Sequence, residues 1–273
     1  MVNLQKNEEE LTKSVMEKVN LSKDRVNLEK HVANLSKCVV DISKKNDVDL
    51  GATKAKVVVA LDYSGSMNNL YENGDIQKAI HKLVPLGLTF DDNASLDVYL
   101  FQNTYKKLDD MNIKNYASYV EKVINTSNYS MGGTHYYPVL NAIVNGEGEV
   151  DGDKKEKAGF LGKLFGKKKK DITTEEADVD QPTFVLFITD GDNYDKAKTE
   201  KLIREISTDN IFIQFIGIGD ASFDFLEKLD ELPGRKIDNT GFSKVNDLVG
   251  VSDAELYTNV LGQFAEWLKN TKG

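Results

Sequence analysis

From residue 56 onward the chain alternates short, β-branched apolar runs with helix-length amphipathic stretches, and few folds accept that order. KVVVALD (56–62), SLDVYLF (95–101), PTFVLFITD (182–190) and IFIQFIGIG (211–219) read as strands. Their near-continuous apolarity suits strands buried on both faces, as in a parallel sheet. A further short strand is expected near Arg235 to Asp238. Helices are expected at 75–90, at about 115–126, 136–145, 195–208 and 222–231, and at 253–269, with Pro85 and Gly87 weakening the end of the first. The pattern predicts an α/β domain over 54–270, a doubly wound, mostly parallel sheet with helices on both faces. Trp267 shares its helix with Leu256, Val260, Leu261, Phe264 and Leu268, which makes it a core or docking anchor.

The first 50 residues follow a different rule, a period of seven that predicts helix. Leu21, Leu28, Leu35 and Ile42 recur every seventh residue, with Val32 and Val39 between them on one amphipathic seam. The extra triplet Glu17-Lys18-Val19 shifts the seam as a stammer does, and Arg25 stands where a seam valine is expected. Three readings fit: helices packed on the main domain, a self-associating coil, or short strands built on the alternating Val-Asn-Leu. Nine basic and nine acidic residues leave positions 1–50 neutral. His31 and Cys38 are expected on a solvated helix face and beside the apolar seam, respectively.

Residues 146–181 break the domain pattern with Gly, eight Lys and ten acidic residues around a central FLGKLFGKKKK. Such blocks favour a flexible surface excursion. Phe160, Leu161, Leu164 and Phe165 ahead of Lys167–Lys170 could form a membrane anchor through 160–170, a protein-docking segment or a plain solvated loop; the flanking acidic blocks disfavour an anionic membrane. Without this insertion the 51–273 module carries 18 basic and 25 acidic residues, a net of -7. With -9 over the whole chain, nucleic acid is not the expected partner. The lone Cys38 excludes an internal disulfide and a cysteine-rich zinc site. The opening MVNLQKNEEE lacks the apolar core of a secretory signal, and no apolar run approaches a membrane span, so a cytoplasmic protein is expected.

Chemistry concentrates at the carboxyl ends of the predicted strands, where open α/β sheets hold their ligands. Asp62, Ser64 and Ser66 follow the first strand at alternate positions in DYSGS, and Asp190 ends another in FITDGDNYD. Between them SMGGTHYYP offers Thr134 on a glycine-softened loop. Two carboxylates and three hydroxyls form an all-oxygen set suited to a small hard cation such as magnesium.

The combination Asp62-x-Ser64-x-Ser66, Thr134 and Asp190 resembles the metal-ion-dependent adhesion site (MIDAS) of von Willebrand factor type A domains, with all five expected positions filled. The wording ALDYSGSM, Gly-Gly-Thr and ITDGDNYD is most similar to bacterial A domains associated with tellurium-resistance operons, and more distantly to copine domains. The resemblance implies a magnesium ion, with manganese as the alternative, held directly by Ser64, Ser66 and Thr134 and through water by Asp62 and Asp190. It further implies an open coordination position for an acidic side chain of a protein partner, hence a non-enzymatic adaptor in a bacterial stress or tellurite-resistance-like system. His135 and Asp192, at the rim, are the candidate partner contacts.

A competing resemblance is to magnesium-dependent phosphatases of the haloacid dehalogenase type, with Asp62 as nucleophile. Their first motif places a second acid two residues on, where this chain has Ser64, and Asp192 and Asp195 are spaced too closely for the later motif. His31, His81 and His135 lack metal-ligand spacing, and Gly217-Ile218-Gly219 lacks the third glycine of a dinucleotide fingerprint.

Overall fold

Val57, Val59 and Leu61 face one side of the first strand and Val58 and Ala60 the other, and all five are buried, so this strand is covered on both faces. It is β1 (Lys56–Asp62) in a computed structural model that describes residues 4–19, 25–146, 181–247 and 249–271. β2 (Ser95–Phe101) and β5 (Thr183–Thr189) flank it in parallel, and β6 (Ile211–Ile218) and β7 (Thr240–Val245) extend the parallel run. β3 (Tyr105–Lys107) and β4 (Met111–Asn112) pair antiparallel with β2, giving the order β3-β2-β1-β5-β6-β7 with β4 beside β2. The order reverses between β1 and β5, so the loops leaving these neighbours diverge and open a crevice at their carboxyl ends.

One core lies against α4 (Asp75–Phe90) and α8 (Asp253–Thr271), the other against α5 (Tyr137–Asn145), α6 (Lys196–Glu205) and α7 (Asp224–Asp230). A short α3 (Asn68–Glu72) connects the loop after β1 to α4. The fold is therefore the expected doubly wound α/β sheet.

Several details depart from expectation. The strand expected at 235–238 begins five residues later, because Arg235 is engaged elsewhere: Nε donates to Leu232 O (2.8 Å) and Nη2 to Asp230 O (2.6 Å). The stretch 115–126 forms a 3-10 turn at Tyr116–Ser118 and a π-helical turn at Val120–Ile124 rather than one α-helix. Gln77 interrupts its ladder, giving Nε2–H to Tyr116 O and accepting from Val120 N–H. Helix α4 continues through Pro85 to Phe90, and Gly87 explains how it fits: a Cβ there would stand 2.7 Å from the Leu96 side chain and 2.8 Å from Ser95 O. Burial of Leu83, Val84, Leu86, Leu88 and Phe90 offsets the hydrogen bond that proline removes.

The heptad segment forms α1 (Leu4–Val19) and α2 (Arg25–Asn46). Its seam faces inward, with Leu28, Val32, Leu35, Val39 and Ile42 buried in the same core as α4 and α8; Leu21 lies outside the described residues. The packing is that of the docked helices, not of a coil built on a second copy. His31 corrects the expectation of a solvated face: its Nδ1 lies 2.7 Å from Asp253 Oδ2, which also accepts from Asn34 Nδ2 at 2.8 Å. Asp253 opens α8, so this contact joins α2 to the first turn of the helix beneath it. Cys38 is buried beside the seam and Trp267 is buried against Phe264 and Phe212, both as expected.

Two expectations for measurement arise here. Asp230 sits under Gln263, and burial pushes its carboxyl up to about 6 despite the Gln263 hydrogen bonds. A raised folded pKa contributes stability that is complete below the unfolded value near 3.8 and lost as pH rises through 6. Asp230→Asn, neutral throughout and still able to accept from Gln263, should therefore be more stable than the parent above pH 6 by about 1 kcal/mol, with the difference vanishing near pH 4. Denaturant melts of both proteins at pH 4 and 7.5 test it, and a constant difference would refute it. The charged insertion at 146–181 falls almost entirely outside the described residues. Removing 150–180 is expected to leave the melting temperature within a few degrees, since its composition supplies little core.

Candidate metal centre

Asp62 is the last residue of β1 and Asp190 directly follows β5, so adjacent parallel strands deliver both carboxylates to the crevice where the strand order reverses. Main-chain bonds then gather the third loop. Ser64 pairs with Gly132 in an isolated parallel bridge, Gly65 N–H donates to Gly132 O (3.0 Å) and Gly132 N–H to Tyr63 O (3.4 Å). A Cβ on Gly132 would stand 2.4 Å from Gln102 Oε1, so glycine here leaves the Gln102 side chain its present position against the loop. Tyr194 N–H donates to Thr134 O (3.0 Å) and His135 N–H to Gln102 O (2.9 Å), which ties the loops after β1, β2 and β5 into one rim.

Side chains complete a continuous polar chain across the crevice. Thr189 Oγ1 donates to Asp62 Oδ2 (2.6 Å), and Asp62 Oδ1 accepts from Ser64 N–H (2.8 Å). Ser64 Oγ lies 3.1 Å from Ser66 Oγ, which donates to Asp190 Oδ1 (2.8 Å). Asp62 is 0% exposed, and this burial pushes its carboxyl up to about 6 against the opposing pull of Thr189 and Ser64. Asp190 is raised for the same reason, burial, with Ser66 pulling it back. A buried carboxylate beside a partly exposed one, with no cationic side chain among their hydrogen-bond partners, is stabilised by positive charge at this spot.

A supporting shell holds the site. Tyr71 Oη donates to Asp62 O (2.9 Å), and Tyr136 Oη donates to Gly191 O (2.6 Å) and lies 3.3 Å from Thr189 Oγ1. Asp195 accepts from the Tyr136 and Tyr137 N–H groups (3.0 and 2.8 Å), capping α5 from a different loop. Asn193 braces Asp195 through Nδ2 (2.6 Å). Thr189, Tyr71 and Tyr136 escaped the sequence reading, which weighed Asp195 only as a phosphatase-type acid and not as the cap of α5. Thr189 had the one usable signal, a hydroxyl ending an otherwise apolar strand one residue before Asp190.

Four of the five expected residues, Asp62, Ser64, Ser66 and Asp190, are thus brought into one hydrogen-bonded chain. Thr134 is buried on the adjoining loop, joined to the others through the main chain. His135 lies at the rim beside Tyr194, ring centroids 5.7 Å apart. Asp192 is exposed and salt-bridged to Lys196. His31 and His81 are remote, on α2 and α4. Among the described residues no cluster of three or more His, Cys, Asp or Glu could hold a metal, so a cation at this crevice must rely on the hydroxyls as well as the two carboxylates. The donor set fits such an ion: every available atom is oxygen, and most donors are neutral.

A family model described as the vWA found in the TerF C terminus matches residues 54–159 and 167–273. The chain belongs to this vWA-TerF-like family. An uncharacterised Bacillus subtilis (strain 168) protein, YcbR, is 34% identical over 221 residues, covering 80% of this chain and 79% of that one. Among solved structures, proximal thread matrix protein 1 from the mussel byssus matches with 16% identity and a TM-score of 0.47, over 78% of this chain and 47% of that one. Another structure of the same mussel protein, described as having a zinc-occupied MIDAS motif, matches with 17% identity and a TM-score of 0.46, over 78% and 47% of the two chains. The ArnB paralog VWA2 from Sulfolobus acidocaldarius matches with 14% identity and a TM-score of 0.39, over 77% and 45%. This A domain spans about half the length of these solved chains. No helix among its described residues is long and apolar enough to cross a membrane.

Proposed function

We propose that this A domain binds a magnesium or manganese ion through Ser64, Ser66 and Thr134, with Asp62 and Asp190 holding coordinated waters, and that the ion's open position captures an acidic side chain of a protein partner. The observation that carries this reading is the chain Thr189, Asp62, Ser64, Ser66, Asp190, in which a buried carboxylate orients hydroxyls beside a second carboxylate at one sheet edge. An ion held mostly by neutral hydroxyls keeps enough positive charge to attract a further carboxylate. The role is that of a non-catalytic, cytoplasmic adaptor in a bacterial stress response of the tellurite-resistance type.

The phosphohydrolase alternative asks Asp62 to attack a phosphoryl group. Its side chain is 0% exposed and both carboxylate oxygens accept hydrogen bonds from neighbours, which favours a positioning role over a nucleophilic one. Calorimetric titration with magnesium and manganese, alongside an aryl-phosphate hydrolysis assay, tests the reading. Micromolar to millimolar binding without turnover is expected. Absence of ion binding, or magnesium-dependent hydrolysis lost on Asp62→Asn, would overturn it.

A further inference from the structure

Tyr194 is the one large hydrophobic side chain among the described residues that is exposed, at 79%. It stands on the loop after β5, beside the crevice. Its backbone is fixed, since its N–H donates to Thr134 O (3.0 Å), and its ring lies near His135. Gly133 forms bare floor between neighbours: a Cβ there would stand 2.5 Å from Asn103 Oδ1 and 3.4 Å from Tyr194 Cε2. An aromatic ring on a rigid backbone next to an electrophilic site is suited to be a binding anchor, because it offers large contact area at low entropic cost.

Charge decides what it anchors. The module carries -7, and the loop that bears Tyr194 also carries Asp190, Asp192, which is paired with Lys196, and Asp195, which caps α5. A partner that brought only carboxylate would be repelled until it reached the ion. The described cations that lie over aromatic rings use Tyr99, Phe225, Tyr137 and Phe223, so among the described residues no lysine or arginine lies over Tyr194. We infer that Tyr194 is a specificity-determining contact that takes a cationic side chain of the partner, lysine or arginine, close in sequence to the carboxylate that caps the ion. The partner is then an acidic residue flanked by a basic one rather than an acidic run. The cation gains the ring's quadrupole and the acidic loop together, and cancels the long-range repulsion. This inference rests on the metal-dependent reading above.

A random heptapeptide library displayed on phage, panned on the full chain in magnesium and in chelator, tests it. Magnesium-dependent clones are expected to carry Asp or Glu with Arg or Lys within two positions. For the best peptide as a synthetic probe, Tyr194→Ala should weaken binding roughly threefold to tenfold. Tyr194→Phe should restore it, and replacing the peptide's basic residue by alanine should cost markedly less on the Tyr194→Ala background than on the parent, because only the attraction of the acidic loop is then left to lose. Magnesium-dependent clones with an acid but no basic neighbour, or a basic preference unchanged by Tyr194→Ala, would overturn the inference while leaving the metal reading standing. Failure of any clone to depend on magnesium would overturn both.

Discussion

Asp62→Asn is expected to abolish cation binding, by roughly 100-fold or more, and at the same time to make the protein more stable in chelator. The two effects have one cause. A carboxylate that is 0% exposed costs desolvation energy, and the bonds from Ser64 N–H and Thr189 Oγ1 compensate only in part, since the carboxyl is held at about 6. An asparagine keeps the acceptor for Ser64 N–H and removes the charge, which should add on the order of 1–2 kcal/mol, or about 2–6 °C in melting temperature. The ion loses both the compensating charge and the group that orients Ser64, and loss of such a supporting group commonly costs 10–100-fold by itself. Titration with manganese and melting in chelator measure the two sides. Undiminished binding would place the ion elsewhere, and a less stable variant would make Asp62 a structural residue of the loop.

A chain beginning at Gly51 is expected to lose cooperative melting at 37 °C, although every proposed metal ligand remains. Leu28, Val32, Leu35, Val39 and Ile42 on α2 are buried in the core that includes Leu256, Tyr257, Val260 and Leu261 of α8. Each such side chain contributes about 1.5–3 kcal/mol by burial, so the five together rival the 5–15 kcal/mol net stability of an ordinary domain, before the ordering entropy of the two helices is subtracted. The His31 to Asp253 contact and the Lys18 Nζ bond to Leu88 O (2.8 Å) are lost as well. Circular dichroism melts of the two chains decide the matter. A shortened chain melting within about 5 °C of the parent would show that α1 and α2 are an addition to a self-sufficient domain.

What could be read from the residues follows from where burial leaves a periodic trace. The central strands β1, β2, β5 and β6 were legible because double-sided burial makes them continuous apolar runs. The edge pieces β3 and β4, Tyr-Lys-Lys and Met-Asn, carry no such trace, and β7, Thr-Gly-Phe-Ser-Lys-Val, carries a broken one. The heptad period identified α1 and α2 as helical, but the choice between docking and self-association depends on what α8 exposes, which no local pattern states. At the crevice, Asp62, Ser64, Ser66, Thr134 and Asp190 stood out by their places after strands. Tyr71, Tyr136, Thr189 and Asp195 did not, because each acts across the chain, on residues 9 to 127 positions away. His31 was misjudged for the same reason: its partner, Asp253, lies 222 residues on.

The rim of the crevice is sewn together by amide and carbonyl groups, from Gly65 and Gly132 through Thr134 and Tyr194 to His135 and Gln102. Bonds of that kind do not care which side chain hangs from the backbone, provided Gly132 and Gly133 remain where a Cβ would crowd the Gln102 and Asn103 side chains. The domain can therefore exchange outward-pointing rim residues, Tyr194 among them, without rearranging the oxygen atoms of the crevice. The outer face of the rim and the oxygen set within it become separately inheritable traits, so descendants of one such gene could change the first while keeping the second.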